Sequence, residues 1–297
     1  MKKSDKKINI IVLFISVFLI FDFCFGLFLE DGLNKYYGIG SNSEIALVGH
    51  SHLMLGVDKV KLEKALNLDV SKYTSEGVNI LNRKLMIEQL LEKNNNIKTI
   101  IYGVDAWSFT GEGLSKNSHV LFYPFLDDMK INNYVRSKAP FSDYWVKKLI
   151  KSTRYNEGLI AGSFRGHLGK WDNLKSGSVN IERLNENILQ GNFRLIKNNP
   201  QNIKILTETI EILKKNNIKV ILLYVPTIDI VNQFEKHKFQ ETLEIFINFT
   251  KKYDNVDFVN FLEPFSHQHE LFFDPIHLNP KGQSVITDTL IKVLNNY

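Results

Sequence analysis

The sequence predicts an α/β fold, in which helices cover both faces of a parallel β-sheet. Two observations support this prediction. Short apolar runs alternate with amphipathic stretches of helical length, and the runs "IKTIIYGVD" (residues 97–105) and "IKVILLYVP" (residues 218–226) are rich in β-branched residues. Strands that alternate with helices in this way imply crossover connections, which place the strands parallel to one another.

The predicted elements follow in order along the chain. Strands are predicted at residues 45–48, 69–74, 97–105, 218–226 and 256–261, and helices at residues 57–65, 79–93, 203–216, 233–252 and after Pro280. With 297 residues, 44% of them hydrophobic, the chain is long enough to bury one sizeable core and is not a disordered protein.

The N-terminal segment has the pattern of a membrane anchor. A basic tail (residues 1–7) precedes a nearly continuous apolar stretch (residues 8–29), and a predicted linker (residues 30–42) follows. A helix needs about 20 apolar residues to cross a bilayer, so residues 8–29 are predicted to span it. No small-x-small cleavage site ends the stretch, which favours an uncleaved anchor over a signal peptide. The lysines of the tail would stay in the cytoplasm, placing the remaining chain outside a bacterial cytoplasmic membrane.

Single residues and the overall charge set further limits. Asp22 is costly inside a membrane span unless it lies near the outer interface or pairs with another helix. Cys24 is the only cysteine, so the chain can form no internal disulfide. The net charge of +5 is densest in the N-terminal tail, and no basic stripe interleaved with aromatic residues follows it. Nucleic acid is therefore not a predicted partner.

A long insertion, residues 110–201, interrupts the alternation of strands and helices. Long connections in compact domains are usually functional or disordered, and the aromatic content here favours order. We expect a mainly helical or irregular subdomain. It either forms a small core of its own or offers a groove for a sugar-like or anionic polymer, for which the candidate residues are Trp107, Arg154, Arg165 and His167.

Polar clusters follow three of the predicted strands. Ligands of open parallel sheets bind outside the carboxyl ends of the strands, so we expect these clusters to meet. Ser51 follows the first strand, Asp105 ends the third, and Asp274 and His277 lie in "FFDPIHLNPKG" near the C-terminus. A serine becomes a nucleophile when a histidine accepts its proton and a carboxylate orients that histidine. Ser51, His277 and Asp274 are therefore the predicted catalytic residues.

The blocks "GHS", "EGVN", "YGVD" and "DPIH" resemble, in this order, the motifs of the SGNH/GDSL hydrolase superfamily. The resemblance implies a flavodoxin-like α/β domain over residues 43–297. It also implies Ser51 as nucleophile, Asp274 as orienting acid, His277 as base, and Gly77 with Asn79 and position 105 at the oxyanion site. Two residues depart from the pattern. His50 replaces the usual aspartate, and Asp105 replaces an asparagine that normally donates to the oxyanion, a role an ionised aspartate cannot fill.

The membrane anchor makes the DltD-like subset of this superfamily the most similar one. The resemblance implies transfer of acetyl or D-alanyl groups to a cell-surface glycopolymer, beside a membrane-bound O-acyltransferase partner and without a cofactor. Two alternatives stay open: an esterase that removes such groups with water, and an inactive scaffold that binds the polymer or the acyltransferase.

A metal site is a further chemical alternative that the sequence does not favour. Histidine and carboxylate side chains are abundant near the predicted site, but the two His-x-His pairs lack the spacing of a familiar zinc motif. The residues concerned are His50, His52, His267, His269, Asp274 and His277. No metal is predicted.

Overall fold

The computed structural model describes residues 2–111 and 117–296 and divides into two compact units. Unit 1 comprises Met1–Tyr36 and Asn117–Lys170, and unit 2 comprises Tyr37–Lys116 and Trp171–Tyr297. Residues 112–116 of the predicted insertion lie outside the described residues, as do the first residue of the basic tail and the last of the chain.

The elements of the described chain are as follows. In chain order they are α1 (Lys2–Tyr37), β1 (Ile45–Gly49), α2 (Ser51–Gly56), α3 (Lys59–Leu66), β2 (Val70–Thr74), α4 (Ile80–Lys93), β3 (Thr99–Val104), α5 (Met129–Lys138), α6 (Phe141–Leu149), α7 (Glu157–His167), α8 (Ile181–Leu189), α9 (Pro200–Lys215), β4 (Lys219–Tyr224), α10 (Asp229–Phe234), α11 (Lys236–Lys252), β5 (Val256–Asn260), α12 (Leu262–Phe265), β6 (Phe272–Asp274), β7 (His277–Leu278) and α13 (Pro280–Leu294).

Unit 2 contains a five-stranded sheet in the order β2-β1-β3-β4-β5, and all four strand pairs are parallel. Each predicted strand overlaps one of these strands, with bounds that differ by at most two residues, and helices flank the sheet, which confirms the α/β prediction. The predicted helix at residues 57–65 corresponds to α3, which begins two residues later, at Lys59, because the Asp58 carboxylate caps it by accepting a hydrogen bond from Lys61 N. The preceding helix α2 was not predicted.

The central strands are apolar on both faces, as a sheet covered by helices requires. All five residues of β1 are buried, and Leu47, Ile101 and Leu223 are fully inaccessible to solvent. Position 48 of β1 pairs with position 102 of β3. The residues that follow the two strands, His50 and Asp105 among them, therefore leave the sheet side by side.

Unit 1 contains nearly all of α1, and the described residues of this unit contain helices and no strand. The prediction of a linker at residues 30–42 was wrong, because α1 continues without a break to Tyr37. Leu29, Leu33 and Tyr37 follow one another at four-residue spacing on this helix, and all three are buried. The polar residues between them, which suggested a linker, occupy the other faces of the helix.

The contacts of α1 with the rest of unit 1 are close and specific. A Cβ atom at Gly166 would lie 1.9 Å from the carbonyl oxygen of Gly32, so the backbones of α7 and α1 touch there. The Asp22 carboxylate accepts hydrogen bonds from Lys151 N (2.7 Å) and Ser152 N (2.9 Å). Asp22 thus finds its partners within its own chain.

Among the described residues, one helix is long and apolar enough to cross a membrane, the part of α1 from Lys7 to Tyr37. The predicted insertion does not form a single subdomain. Its residues from Trp171 onward belong to unit 2, where Val179 N donates to the carbonyl of Phe272 and Gln283 Nε2 donates to the carbonyl of Asn173.

Candidate active site

Ser51 is the first residue of α2, directly after the turn that ends β1. His50 is the N-cap of α2, and its Nδ1 atom accepts a hydrogen bond from His52 N at 3.2 Å. The sequence allows this sharp turn because glycines precede it. A Cβ atom at Gly49 or at Gly103 of β3 would lie 2.9 Å from Leu53 Cβ, so the two glycines make room for α2 over the sheet edge.

The loop between β6 and β7 presents the histidine and its carboxylate. Asp274 Oδ1 accepts hydrogen bonds from Ile276 N and His277 N, both at 2.9 Å, which fixes the turn. Asp274 Oδ2 lies 2.8 Å from His277 Nδ1, and His277 Nε2 lies 2.8 Å from Ser51 Oγ. The structure therefore brings together the three predicted catalytic residues, although 226 positions separate Ser51 from His277.

The charge of Asp274 fixes the tautomer of His277. Burial, the largest influence, raises the pKa of Asp274, but the hydrogen bond and charge of His277 and the backbone donors outweigh it and hold the pKa below its usual value. An ionised carboxylate accepts a hydrogen bond from Nδ1–H and so keeps the ring proton on Nδ1, which leaves the Nε2 lone pair facing the hydroxyl of Ser51. This is the arrangement that a general base requires.

Asp105 is a buried acceptor surrounded by donors. Its Oδ1 accepts from Trp107 N at 2.9 Å and from Ser108 Oγ at 3.0 Å, while Oδ2 lies 3.0 Å from His50 Nε2 and 3.5 Å from His52 Nδ1. Burial raises the pKa of Asp105, yet the electrostatic attraction and hydrogen bond of His50, with the attraction of His52 and Arg83, outweigh it and hold the pKa below its usual value. Asp105 is therefore ionised and cannot donate to an oxyanion.

His50, His52 and Asp105 also place one potential metal ligand each within 4.8 Å of one another. The tautomer of His50 argues against a metal at this cluster. Its Nδ1 atom accepts the His52 N–H, so Nε2, the atom that faces Asp105, carries the ring proton and has no lone pair for a cation. Burial lowers the pKa of both histidines, which favours neutral rings.

His267 and His269, two further histidines of the metal alternative, contact a different carboxylate. His269 Nε2 lies 2.8 Å from Asp229 Oδ1, and His267 Nδ1 lies 3.0 Å from Asp229 Oδ2. His277 is already engaged by Asp274 and Ser51. The six residues therefore do not form one ligand set.

A cavity of about 140 Å³ opens beside Ser51. Its lining combines the catalytic segment with residues of four other segments: His50, Ser51, His52, Gly77, Val78, Arg83, Asp105, Trp107, Ser108, Arg194 and Ile276. Gly77 has a φ of +70°, a conformation that favours glycine. A larger cavity of about 680 Å³ in unit 2 lies beside α10 and α11, but it contains none of the catalytic residues.

Several other predicted site residues have structural partners. Asn79 is the N-cap of α4, where it forms a reciprocal pair of hydrogen bonds with Asn82, and it does not line the cavity. The expectation of an oxyanion role for Asn79 was therefore wrong. Trp107 is buried and lines the cavity, and its Nε1 donates to the carbonyl of Arg194 at 3.0 Å.

The remaining candidates for a polymer groove lie in unit 1 and serve its packing. Arg154 is buried and donates to the carbonyl of Lys147 and to Asp127. Arg165 donates to Tyr36 Oη, and His167 stacks on Phe28 with ring centroids 4.2 Å apart. The groove expectation was wrong for Arg154, because its guanidinium offers no exposed surface to a ligand.

Sequence reasoning missed the partners of Asp105. Ser108 accepts from Asp105 N and donates to its carboxylate, a local motif that the Asp-x-x-Ser spacing could have indicated. Arg83 lines the cavity and donates to the carbonyl of Gly103 at 2.6 Å. Nothing in the sequence pattern of α4 distinguishes Arg83 from a surface arginine.

Comparisons with known proteins give likenesses of fold at low sequence identity. No protein-family model matches the sequence, and no curated protein matches it. A solved structure assigned as a platelet activating factor from Streptococcus pneumoniae is 11% identical, with a TM-score of 0.47 over 96% of this chain and 99% of that one. A GDSL-like lipase from Bacteroides thetaiotaomicron is 10% identical, with a TM-score of 0.43 over 86% and 89%. An assigned acylhydrolase from Bacteroides fragilis is 9% identical, with a TM-score of 0.41 over 85% and 86%.

Proposed function

We propose that the protein is a serine-dependent acyl-ester enzyme of the SGNH type, and that it transfers a short acyl group to a cell-surface glycopolymer. The observation that supports this proposal is the continuous hydrogen-bonded chain from Ser51 Oγ through His277 to the Asp274 carboxylate. Its residues come from separate segments of unit 2 and are of the types, in the geometry, that nucleophilic catalysis requires.

The proposed reaction has two half-steps. Ser51 Oγ attacks the acyl carbonyl carbon while its proton passes to His277 Nε2, and the leaving alcohol then takes that proton as the ester bond breaks. In the second half-step the acceptor hydroxyl gives its proton to His277 and attacks the acyl-enzyme, which restores the hydroxyl of Ser51. Water in place of the acceptor would make the enzyme an esterase.

The oxyanion of each half-step needs donors aimed at it. The backbone N–H groups of Ser51 and Gly77, both at the cavity, are the proposed donors. The negative charge of Asp105 instead lies beside the rings of His50 and His52. This contact positions the turn that carries Ser51.

The size of the cavity favours a short acyl group. Sites for drug-sized ligands enclose about 300–1,000 Å³, whereas this cavity measures about 140 Å³. An acetyl or D-alanyl group is of the proposed size, and a long fatty chain is not.

The proposed location and partners depend on α1. Its apolar length and N-terminal lysines support a single-pass anchor in a bacterial cytoplasmic membrane with the catalytic unit outside. An anchored transferase acts on a polymer made at the same membrane. A membrane-bound O-acyltransferase that supplies the acyl group is the proposed partner.

The test is the intact mass of the full chain in detergent after incubation with p-nitrophenyl acetate. We expect a mass increase of one acetyl group that is abolished in Ser51→Ala, with turnover at least about a thousandfold lower. Ser284→Ala is the matched control, because Ser284 is an exposed serine of unit 2 that bonds Lys61 and should leave labelling unchanged. Accumulation of the acetylated protein favours transfer, and rapid turnover without accumulation favours hydrolysis. No reaction of the wild type would contradict the proposal and favour the scaffold alternative.

A further inference from the structure

The free part of α1 is shorter than a membrane span. Residues 8–21 are exposed on every face of the helix, and Asp22 is the first buried residue. At about 1.5 Å per residue these 14 residues measure about 21 Å, whereas the hydrocarbon core of a bilayer is about 30 Å thick. If α1 spans the bilayer, roughly six residues beyond position 21 must also lie in hydrocarbon.

These additional residues of α1 are in contact with other segments of unit 1. Asp22 binds Lys151 N and Ser152 N, and Tyr155 Oη donates to the carbonyl of Gly26 at 3.1 Å. Further along, the ring of Phe28 lies 5.8 Å from the ring of Phe164. The chain segment after α6 and one face of α7 therefore lie at the same depth as the last residues of the span.

Unit 1 exposes apolar side chains close to these contacts. Phe141, Trp145 and Leu149 follow at four-residue spacing on α6, which ends two residues before Lys151. Phe164 of α7 and Leu168, the residue that caps the end of α7, have the same spacing. These five side chains, the apolar face of unit 1, are between 42% and 81% exposed. Soluble surfaces rarely concentrate so many large apolar groups, so this face has an apolar partner.

We propose that the apolar face of unit 1 inserts into the lipid leaflet next to it, so that α6 and α7 lie in the interface beside the membrane-spanning helix. Lipid is favoured over a protein partner because the face continues the exposed apolar surface of α1 at Phe28. Trp145 has the amphipathic ring that membrane interfaces favour, and the exposed cations Arg136 and Lys138 directly precede α6, where they can meet anionic headgroups. This inference depends on the membrane attachment in the proposed function and not on the acyl chemistry.

The test uses the fluorescence of Trp145 in the full chain, reconstituted into phosphatidylcholine–phosphatidylglycerol vesicles. Trp107→Phe and Trp171→Phe leave Trp145 as the only one of three tryptophans. With lipids brominated on the acyl chains we expect the emission of Trp145 to fall about twofold, while iodide in the water has little effect. A far-ultraviolet circular dichroism spectrum equal to that of the wild type shows that this variant is folded.

A second variant separates this proposal from the anchor itself. Phe14→Trp, with Trp145→Phe in the same background, places the only tryptophan in the free part of α1. If brominated lipid quenches this anchor tryptophan but does not quench Trp145 in the first variant, the insertion of the apolar face is overturned and the anchor stays supported. Absence of quenching at both positions would overturn the anchor. Protection of Trp145 from both quenchers would overturn lipid as the occupant and indicate a second copy of the chain.

A labelled cysteine repeats the measurement with all tryptophans present. Leu149→Cys in a Cys24→Ser background carries an environment-sensitive fluorophore at the end of α6. We expect a blue-shifted emission in vesicles and quenching by the same brominated lipids. Emission characteristic of water would contradict the proposal.

Discussion

The two units of the molecule bury their apolar residues in different ways. In unit 2 a parallel sheet forms the centre, and every residue of β1 and β2 is buried against covering helices. In unit 1 the buried residues are spread over short helical segments. They include Leu121, Phe122 and Phe125 before α5, Ile131 and Val135 on α5, and Tyr144 on α6. Unit 2 is therefore centred on a sheet, whereas unit 1 combines short helical segments with a helix that also has the length and composition of a membrane span.

The largest test of this comparison is removal of the shared helix. Deleting residues 1–36 should abolish the protection of amide hydrogens in α7, because this helix loses the contact of Gly166 with Gly32 and that of Phe164 with Phe28. The amides of β1, β3 and β4 should keep their protection. Hydrogen exchange followed by mass spectrometry measures both regions in one sample. Protection retained in α7 would show that this helix does not depend on its contacts with α1.

A substitution at the crossing of α1 and α7 should give a smaller, local effect. Gly166→Ala places a methyl group 1.9 Å from the Gly32 carbonyl, so the backbones must separate, at a cost of about 1–3 kcal/mol. Amide exchange in α7 should rise, while exchange in the sheet of unit 2 should not change.

Gly158→Ala is the matched control in the same helix. The nearest atom to its added Cβ is Asn156 Oδ1 at 3.5 Å, an ordinary contact, and alanine favours the helix by up to about 1 kcal/mol. Exchange in α7 should therefore stay the same or fall. Equal increases of amide exchange in the two variants would show that Gly166 does not act by allowing close contact between α1 and α7.

The smallest expected effect concerns pH and unit 2. The pKa of Asp105 is lower in the folded protein than its ordinary value of 3.8, so its ionised form stabilises the fold above that value. This contribution decreases as the pH falls below 3.8 and through the lower folded pKa. Asp105→Asn turns an amide N–H toward His50 and should cost about 1–3 kcal/mol at neutral pH.

Thermal unfolding of the full chain in detergent, between pH 7 and pH 3, measures this effect. The difference in melting temperature between the wild type and Asp105→Asn should be largest at pH 7 and should shrink toward pH 3. A difference that stays constant with pH would mean that Asp105 does not act through its charge.

The sheet of unit 2 was predictable because its strands are β-branched runs between helical patterns. The runs at residues 97–105 and 218–226 each contain one of the central strands, β3 and β4. The end of α1 was not predicted, because Glu30, Asp31 and Asn34 suggested a linker. Leu29, Leu33 and Tyr37 are spaced as on one face of a helix. This spacing indicates a helix only once the surface that buries the three residues is known.

The catalytic residues were predictable in type and order, whereas the environment of Asp105 was not. Ser51 follows β1, whereas Asp274 ends β6 and His277 begins β7, in a two-stranded sheet that the strand pattern did not predict. The residue types and their order along the chain therefore carried the prediction. The approach of Asp105 to His50 depends on the register that pairs position 48 with position 102, and on the turn that follows each strand. Neither the strand register nor the geometry of these turns can be obtained from composition or periodicity.

The N-cap of α2 has a consequence for how the enzyme would lose activity in acid. His50 caps the helix that begins with Ser51 through Nδ1, an atom that can accept the His52 N–H only while it carries no proton. Burial lowers the pKa of His50, which keeps this cap in place at neutral pH. Protonation at low pH would uncap the helix and displace the nucleophile as well as charge the ring. Activity should then return as soon as the pH is neutral again, because a helical turn re-forms within about 1 μs.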